Sequence, residues 1–174
     1  MVFDMDPDPS VSFADVKVAT FEVRERLEAL ELESFVMVTG GKGVHVVVPL
    51  QRVHDFEEVK SFSRAFAERM VFEAPRRFVA QATKSKRTGR IFVDYLRNGR
   101  GATAISPYST RARANASVAV PIEWRELDAL ESADVFDIAG ARERLARRRK
   151  DAWAGYDGVK QRLTVAARRK LDTR

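Results

Sequence analysis

The sequence predicts an α/β (α+β) fold with a mixed sheet and C-terminal helices. Three observations point there. Short β-branched runs at 35–39 and 44–50 flank a glycine turn. Two long segments, 12–32 and 55–72, carry apolar residues at spacings of three and four. Strand-like runs and helical stretches alternate along one chain of 174 residues, a length that suits one domain.

The elements follow in order. Val2 to Asp6 reads as a short strand, because Pro7 and Pro9 forbid its continuation. Ser12 is placed to cap a helix to about Leu32, with Val16, Ala19, Val23, Leu27 and Leu30 on its apolar side. FVMVT at 35–39 is a strand. Gly40, Gly41 and Gly43 mark a tight turn. VHVVVPL at 44–50 is dense enough in valine for a strand buried on both faces. Its period puts Val44, Val46 and Val48 on one side, His45 and Val47 on the other. Asp55, followed by Glu58, opens a helix as a capping box. Residues 78–83 are ambiguous between strand and loop. Residues 84–90 form a basic turn, 91–95 a strand ending near Asp94, and 102–105 a candidate strand. Residues 106–117 read as loop, 123–130 as a short helix, and 140–151 and 156–171 as helices.

Composition excludes several chemistries. There is no cysteine, so disulfides, thiolate metal sites and thiol nucleophiles are ruled out. Only two histidines are present, His45 and His54. No apolar run is long enough to span a membrane, and the acidic first residues do not resemble a signal peptide, so a cytoplasmic or nucleoid-associated protein is expected. The net charge of +6 is unevenly spread. Residues 142–174 carry net +8 and residues 74–113 net +9, on an otherwise acidic body. Such tracts attract polyanions.

Three constellations carry chemistry. Asp4 and Asp6 stand two apart in a strand, hence on one side of it. Side-by-side carboxylates repel unless a cation lies between them, and a third, Asp94, ends another strand. The residues leave two readings open: a site for Mg²⁺ or Mn²⁺, or unrelated acids. Thr39-Gly-Gly-Lys42-Gly-Val-His45 offers a hydroxyl, an ammonium, an imidazole and close backbone approach to an anion. It lacks the order of a Walker loop, so a plain hairpin turn also stands. Lys84, Lys86, Arg87, Arg90, Arg97, Arg100, Arg111 and Arg113 supply forks for phosphates.

FDMDPD, VTGGKGVHVVVPL and KRTGRIFVDYLRNGRGATAISPYSTRARANASVAVPIEW together resemble the polymerase domain of the bacterial DNA ligase D end-joining system, within the archaeo-eukaryotic primase superfamily. Asp151-Ala-Trp153 resembles that family's closing segment. The resemblance implies a primase-polymerase-like core that adds ribonucleotides or deoxynucleotides to DNA 3′ ends at gaps or breaks. It implies Asp4, Asp6 and Asp94 as catalytic, metal-binding acids. It implies Thr39, Lys42, His45, Arg87 and Arg111 as contacts to the NTP or dNTP, with Thr39 where the family usually has serine. Arg97 and Asn98, in the motif DYLRN, are assigned to scaffolding or sugar contact.

The resemblance also implies a further subdomain ahead of the acid pair, so the 174 residues are expected to be one catalytic core that is incomplete at its N-terminus, with a basic helical tail over 140–174. Expected partners are gapped duplex or break ends, a separate N-terminal piece, a ligase or a Ku-like end-joining protein, with self-association through uncovered surface. The alternative is a truncated or split module that binds nucleotides or DNA ends without catalysis.

Overall fold

A computed structural model describes residues 1–172. Six strands form one sheet: β1 (Val2–Pro7), β2 (Phe35–Val38), β3 (Val44–Val47), β4 (Phe78–Val79), β5 (Ile91–Asp94) and β6 (Val120–Ile122). Their order is β4-β5-β1-β3-β2-β6. All neighbours run antiparallel except β4 and β5, which are parallel. The four α-helices are α1 (Phe13–Ala29), α2 (Phe56–Glu73), α3 (Ile138–Arg147) and α4 (Val165–Asp172).

The pleat decides what lies where. Phe3 and Met5 of β1 point to one face with Val44 and Val46 of β3 and Val93 of β5, and all are fully buried. α1 and α2 cover that face. Val16, Ala19, Val23 and Leu27 of α1 join it to Phe62, Phe66 and Met70 of α2 in one core. Phe3 meets Phe66 with ring centroids 4.6 Å apart. Both helix starts form as the sequence predicts. The Ser12 hydroxyl accepts from the Asp15 N–H, and Asp55 and Glu58 complete a reciprocal capping box.

Several expectations need correction. Residues 102–105 form no strand; they run as a loop over the opposite face of the sheet. The helix expected over 156–171 is only a 3-10 turn at Tyr156–Gly158 and α4. Between them the chain is extended, because Gln161 is tied to the sheet layer: its Nε2 donates to Pro49 and Glu33 carbonyls at 2.7 and 2.8 Å. The helix expected over 123–130 is a 3-10 helix, Trp124–Ala129, and α1 stops at Ala29. β3 ends at Val47, since Pro49 has no N–H for the ladder. Residues 173–174 of the basic tail lie outside the described residues. Among the described residues, no helix is long and apolar enough to cross a membrane.

Candidate active site

The face of the sheet opposite α1 and α2 carries a polar row. Asp4 of β1 lies directly opposite Asp94 of β5 on one side and His45 of β3 on the other. Opposed residues in antiparallel strands share a face, so all three side chains point the same way. Asp6 is two residues along β1 on that same face, opposite Phe92. Alternation thus sorts FDMD into core residues and acids.

Asp94 is the most enclosed of the acids. Its side chain is 8 % exposed, against 45 % for Asp6. Its Oδ1 accepts the Leu96 N–H at 2.8 Å and so opens a 3-10 turn, Leu96–Asn98. Burial, joined by the nearby charge of Asp4, pushes the Asp94 carboxyl above the usual carboxylate range, against the pull of the Leu96 N–H, Arg97 and Arg87.

The turn after β2 forms the next wall. At Gly43 a Cβ would sit 2.5 Å from the Met5 carbonyl oxygen, so only glycine lets the turn close on β1. The Thr39 hydroxyl donates to the Gly43 carbonyl at 2.9 Å and accepts the Gly41 N–H at 3.3 Å, which stitches the turn from inside. Arg111 and Arg113 approach from the 106–117 loop and reach Gly41. These parts enclose a cleft of about 430 Å³, whose lining includes Asp4, Asp6, Lys42, His45, Arg97 and Arg111.

Six predicted residues therefore line one cleft: Asp4, Asp6, Thr39, Lys42, His45 and Arg111. Asp94 adjoins through Asp4. His45 is both a cleft residue and nearly buried, its Nε2 3.5 Å from Asp4 Oδ2. Arg87 is placed differently. It lies over the Phe92 ring, 4.0 Å from its centroid, and donates to Asp6 Oδ2 at 2.7 Å. Asn98 is scaffolding, as expected: its amide exchanges bonds with both Val2 backbone groups at 2.7 Å.

Arg97 and Arg113 also line this cleft, beyond the residues expected to contact the nucleotide. Arg97 Nε is 3.1 Å from Asp94 Oδ2 and 3.7 Å from Asp4 Oδ2. The signal was the i,i+3 spacing from Asp94, which one 3-10 turn folds back onto the acid.

Among the described residues, no three His, Asp or Glu side chains stand together closely enough to hold a metal as arranged. The donor set nonetheless fits a hard divalent cation, being carboxylate oxygens on neighbouring strands. A positive charge, the Arg97 guanidinium, already lies between two of them. That side chain is 40 % exposed.

Comparison with known proteins places the chain in a family. Residues 1–153 match the family model for the LigD primase-polymerase domain. The chain is 41% identical over 171 residues to the multifunctional non-homologous end joining protein LigD of Pseudomonas aeruginosa, covering 98% of this chain and 20% of that protein. It is 34% identical over 127 residues to the LigD of Mycolicibacterium smegmatis, covering 73% of this chain and 17% of that one. The structure of the polymerase domain of Mycobacterium tuberculosis ligase D in complex with DNA superposes with a TM-score of 0.83 at 32% identity, over 91% of this chain and 54% of that one. The chain thus spans about a fifth of the length of the two LigD relatives and about half of the solved polymerase domain. A matching family model over most of the chain and a shared fold lead to one conclusion: the chain belongs to the LigD primase-polymerase domain family.

Proposed function

We propose that the cleft carries out metal-dependent nucleotidyl transfer, adding ribonucleotides or deoxynucleotides to DNA 3′ ends during gap filling or break joining. One observation carries the reading: Asp4 stands in register with Asp94 and lines a cleft that Lys42, Arg111 and Arg113 also line. Acids beside a cationic rim suit a triphosphate and its counter-ion. Asp4, Asp6 and Asp94 would hold Mg²⁺ or Mn²⁺. Such an ion, when bound, supplies Lewis acidity at the phosphates and lowers the pKa of an attacking hydroxyl. Lys42 and Arg111 bind and orient the phosphate oxygens. Thr39 keeps the turn closed so that the Gly41 backbone can approach them. His45 fixes Asp4 from the β3 side. Arg97 neutralises the acid pair until the cation arrives, and Arg87 restrains Asp6.

The test is addition of NTP to a gapped DNA duplex in Mn²⁺. We expect Asp94→Ala to lower the rate by about 10²–10³-fold, the scale of a lost electrostatic group at a reacting phosphate. Addition that persists at the original rate in Asp94→Ala overturns the reading.

A second reading is favoured by the arginine contacts to the acids. With Arg87 on Asp6 and Arg97 on Asp94, the cleft can hold a nucleotide or DNA end with no metal. It predicts salt-sensitive DNA binding that survives Asp94→Ala, and no extension by either protein. We infer as its partners gapped duplex or break ends and a separate N-terminal segment, a ligase or a Ku-like protein, in the cytoplasm. Extension that appears only when that segment is added supports this.

A further inference from the structure

The chain is basic overall, with a net charge of +6, yet one edge of it is acidic. A groove of about 330 Å³ lies where the end of α1 meets Trp124, and it shares no lining residue with the cleft. Three carboxylates line it: Glu28, Glu31 and Glu33. Among the described residues, only Glu28 of the three is paired, with Arg24 at 2.7 Å. Gln161 bonds both Glu33 backbone groups, and Lys160 and Arg162 stand on either side of it. Neither of those cations pairs with a groove acid among the described residues.

Folding does not account for these acids. α1 ends in a Schellman turn: the Glu31 N–H donates to the Glu28 carbonyl and the Leu32 N–H to the Leu27 carbonyl, both at 2.9 Å. Glu31 there has a φ of +61°, where glycine fits without strain. A helix C-terminus also carries partial negative charge, to which a glutamate adds. Local preference is thus violated twice at one residue, the pattern expected where a side chain serves binding.

A second observation, independent of the charges, lies in the same wall. Ser34 lines the groove and is only 7 % exposed, and among the described residues its hydroxyl has no hydrogen-bond partner. Its carbonyl accepts the Trp124 Nε1–H at 2.8 Å, which fixes the indole beside it. Arg24 lies over that ring, its Cζ 5.1 Å from the centroid, so the indole already takes a cation.

Charge and shape select the occupant. Glu31, Glu33 and the Ser34 hydroxyl offer three acceptors, and a lysine ammonium carries three donors. Leu32 and Trp124 add apolar wall for its methylene stem. A chain of net +6 repels a basic partner at long range, so attraction must come from this local negative field. We propose that the groove docks a basic polypeptide segment of a partner protein and seats one of its lysines among Glu31, Glu33 and Ser34.

The test is fluorescence polarisation of a labelled Gly-Lys-Lys-Lys-Gly peptide with the full chain. Glu31→Gly and Glu33→Gln should each weaken binding about fivefold, the upper scale of an exposed ion pair. Glu31→Gly should also raise Tm by about 2 °C, because glycine relieves the left-handed backbone. Glu57→Gln, an exposed acid on α2, should leave binding unchanged. Acetylating the peptide lysines should abolish it. No binding by the unaltered protein, undiminished affinity in either groove variant, or an equal loss in Glu57→Gln overturns the proposal. So does a Glu31→Gly variant that loses affinity and Tm together. Spermidine that displaces the peptide at equal concentration assigns the groove to a free polyamine. A dimer in sedimentation velocity that Glu31→Gly dissolves assigns it to a second copy. Either result overturns a partner polypeptide as the occupant.

Discussion

The two faces of one sheet do opposite work. Phe3 and Met5 alternate with Asp4 and Asp6 in a single strand, yet the first pair is fully buried under α1 and α2 while the second faces a cationic cleft. The helix-covered face is dry and apolar. The other face is graded, from Asp94, nearly enclosed, to Asp6, half open. The contrast teaches that the position of the acids is set by residues of opposite chemistry. Packing at Phe3 and Met5 fixes the strand, and the strand fixes where Asp4 stands.

The strongest way to break this comparison is to exchange stability costs between the faces. Phe3→Ala removes a fully buried ring packed against Phe66 and should cost ~3–5 kcal/mol in urea unfolding. Asp4→Asn, one residue away, should change stability by less than ~1 kcal/mol, because its partners are a partly exposed arginine and a histidine 3.5 Å away. Equal losses in the two variants would mean that the faces are not separable.

Asn98 sits where the two faces are tied together. Its side chain bonds both Val2 backbone groups, the Tyr95 carbonyl and Ser63 of α2. Asn98→Ala leaves several of these groups buried without a partner and should cost about 2 kcal/mol. It should also weaken nucleotide binding, since β1 and the turn after Asp94 lose their common anchor. A fall in stability with nucleotide affinity intact would place Asn98 on the core side alone.

Much of this architecture was legible in the sequence, and the reasons are local. The i,i+2 spacing of Asp4 and Asp6 needs only a strand, and the Asp55–Glu58 box only a helix start. Gly40, Gly41 and Gly43 announce a tight turn, and Gly43 closes it against Met5. What stayed hidden depends on contacts between distant residues. β4 has two residues and β6 three, with Pro121 in its middle, so neither carries a period to read. Residues 102–105 have strand-like side chains but find no pairing edge. Arg87 and Arg97 have long side chains whose targets are set by the folded neighbours, not by spacing alone. The acidic groove joins the end of α1 to Trp124, a pairing no local pattern announces.

The smallest expected effect is the most discriminating. Asp94 carries a carboxyl whose pKa burial and the Asp4 charge raise. A carboxyl raised by folding contributes stability when protonated, at low pH, and loses that contribution as pH rises through its folded value. At pH 7 the ionised Asp94 therefore opposes folding. Asparagine keeps an oxygen for the Leu96 N–H and removes the charge. Without added metal, Asp94→Asn should raise stability by less than ~1 kcal/mol at neutral pH, because the charge it removes is disfavoured by burial and the Arg97 it leaves is partly exposed. The gap should close as pH falls toward the carboxylate range. Added Mn²⁺ should then stabilise the unaltered protein more than Asp94→Asn, and reverse the order. Paired thermal melts across pH, with and without Mn²⁺, measure both steps. A variant less stable at pH 7 would mean that the Arg97 contact at 3.1 Å outweighs the burial of Asp94, and that the acid row is held by its arginine before any cation comes.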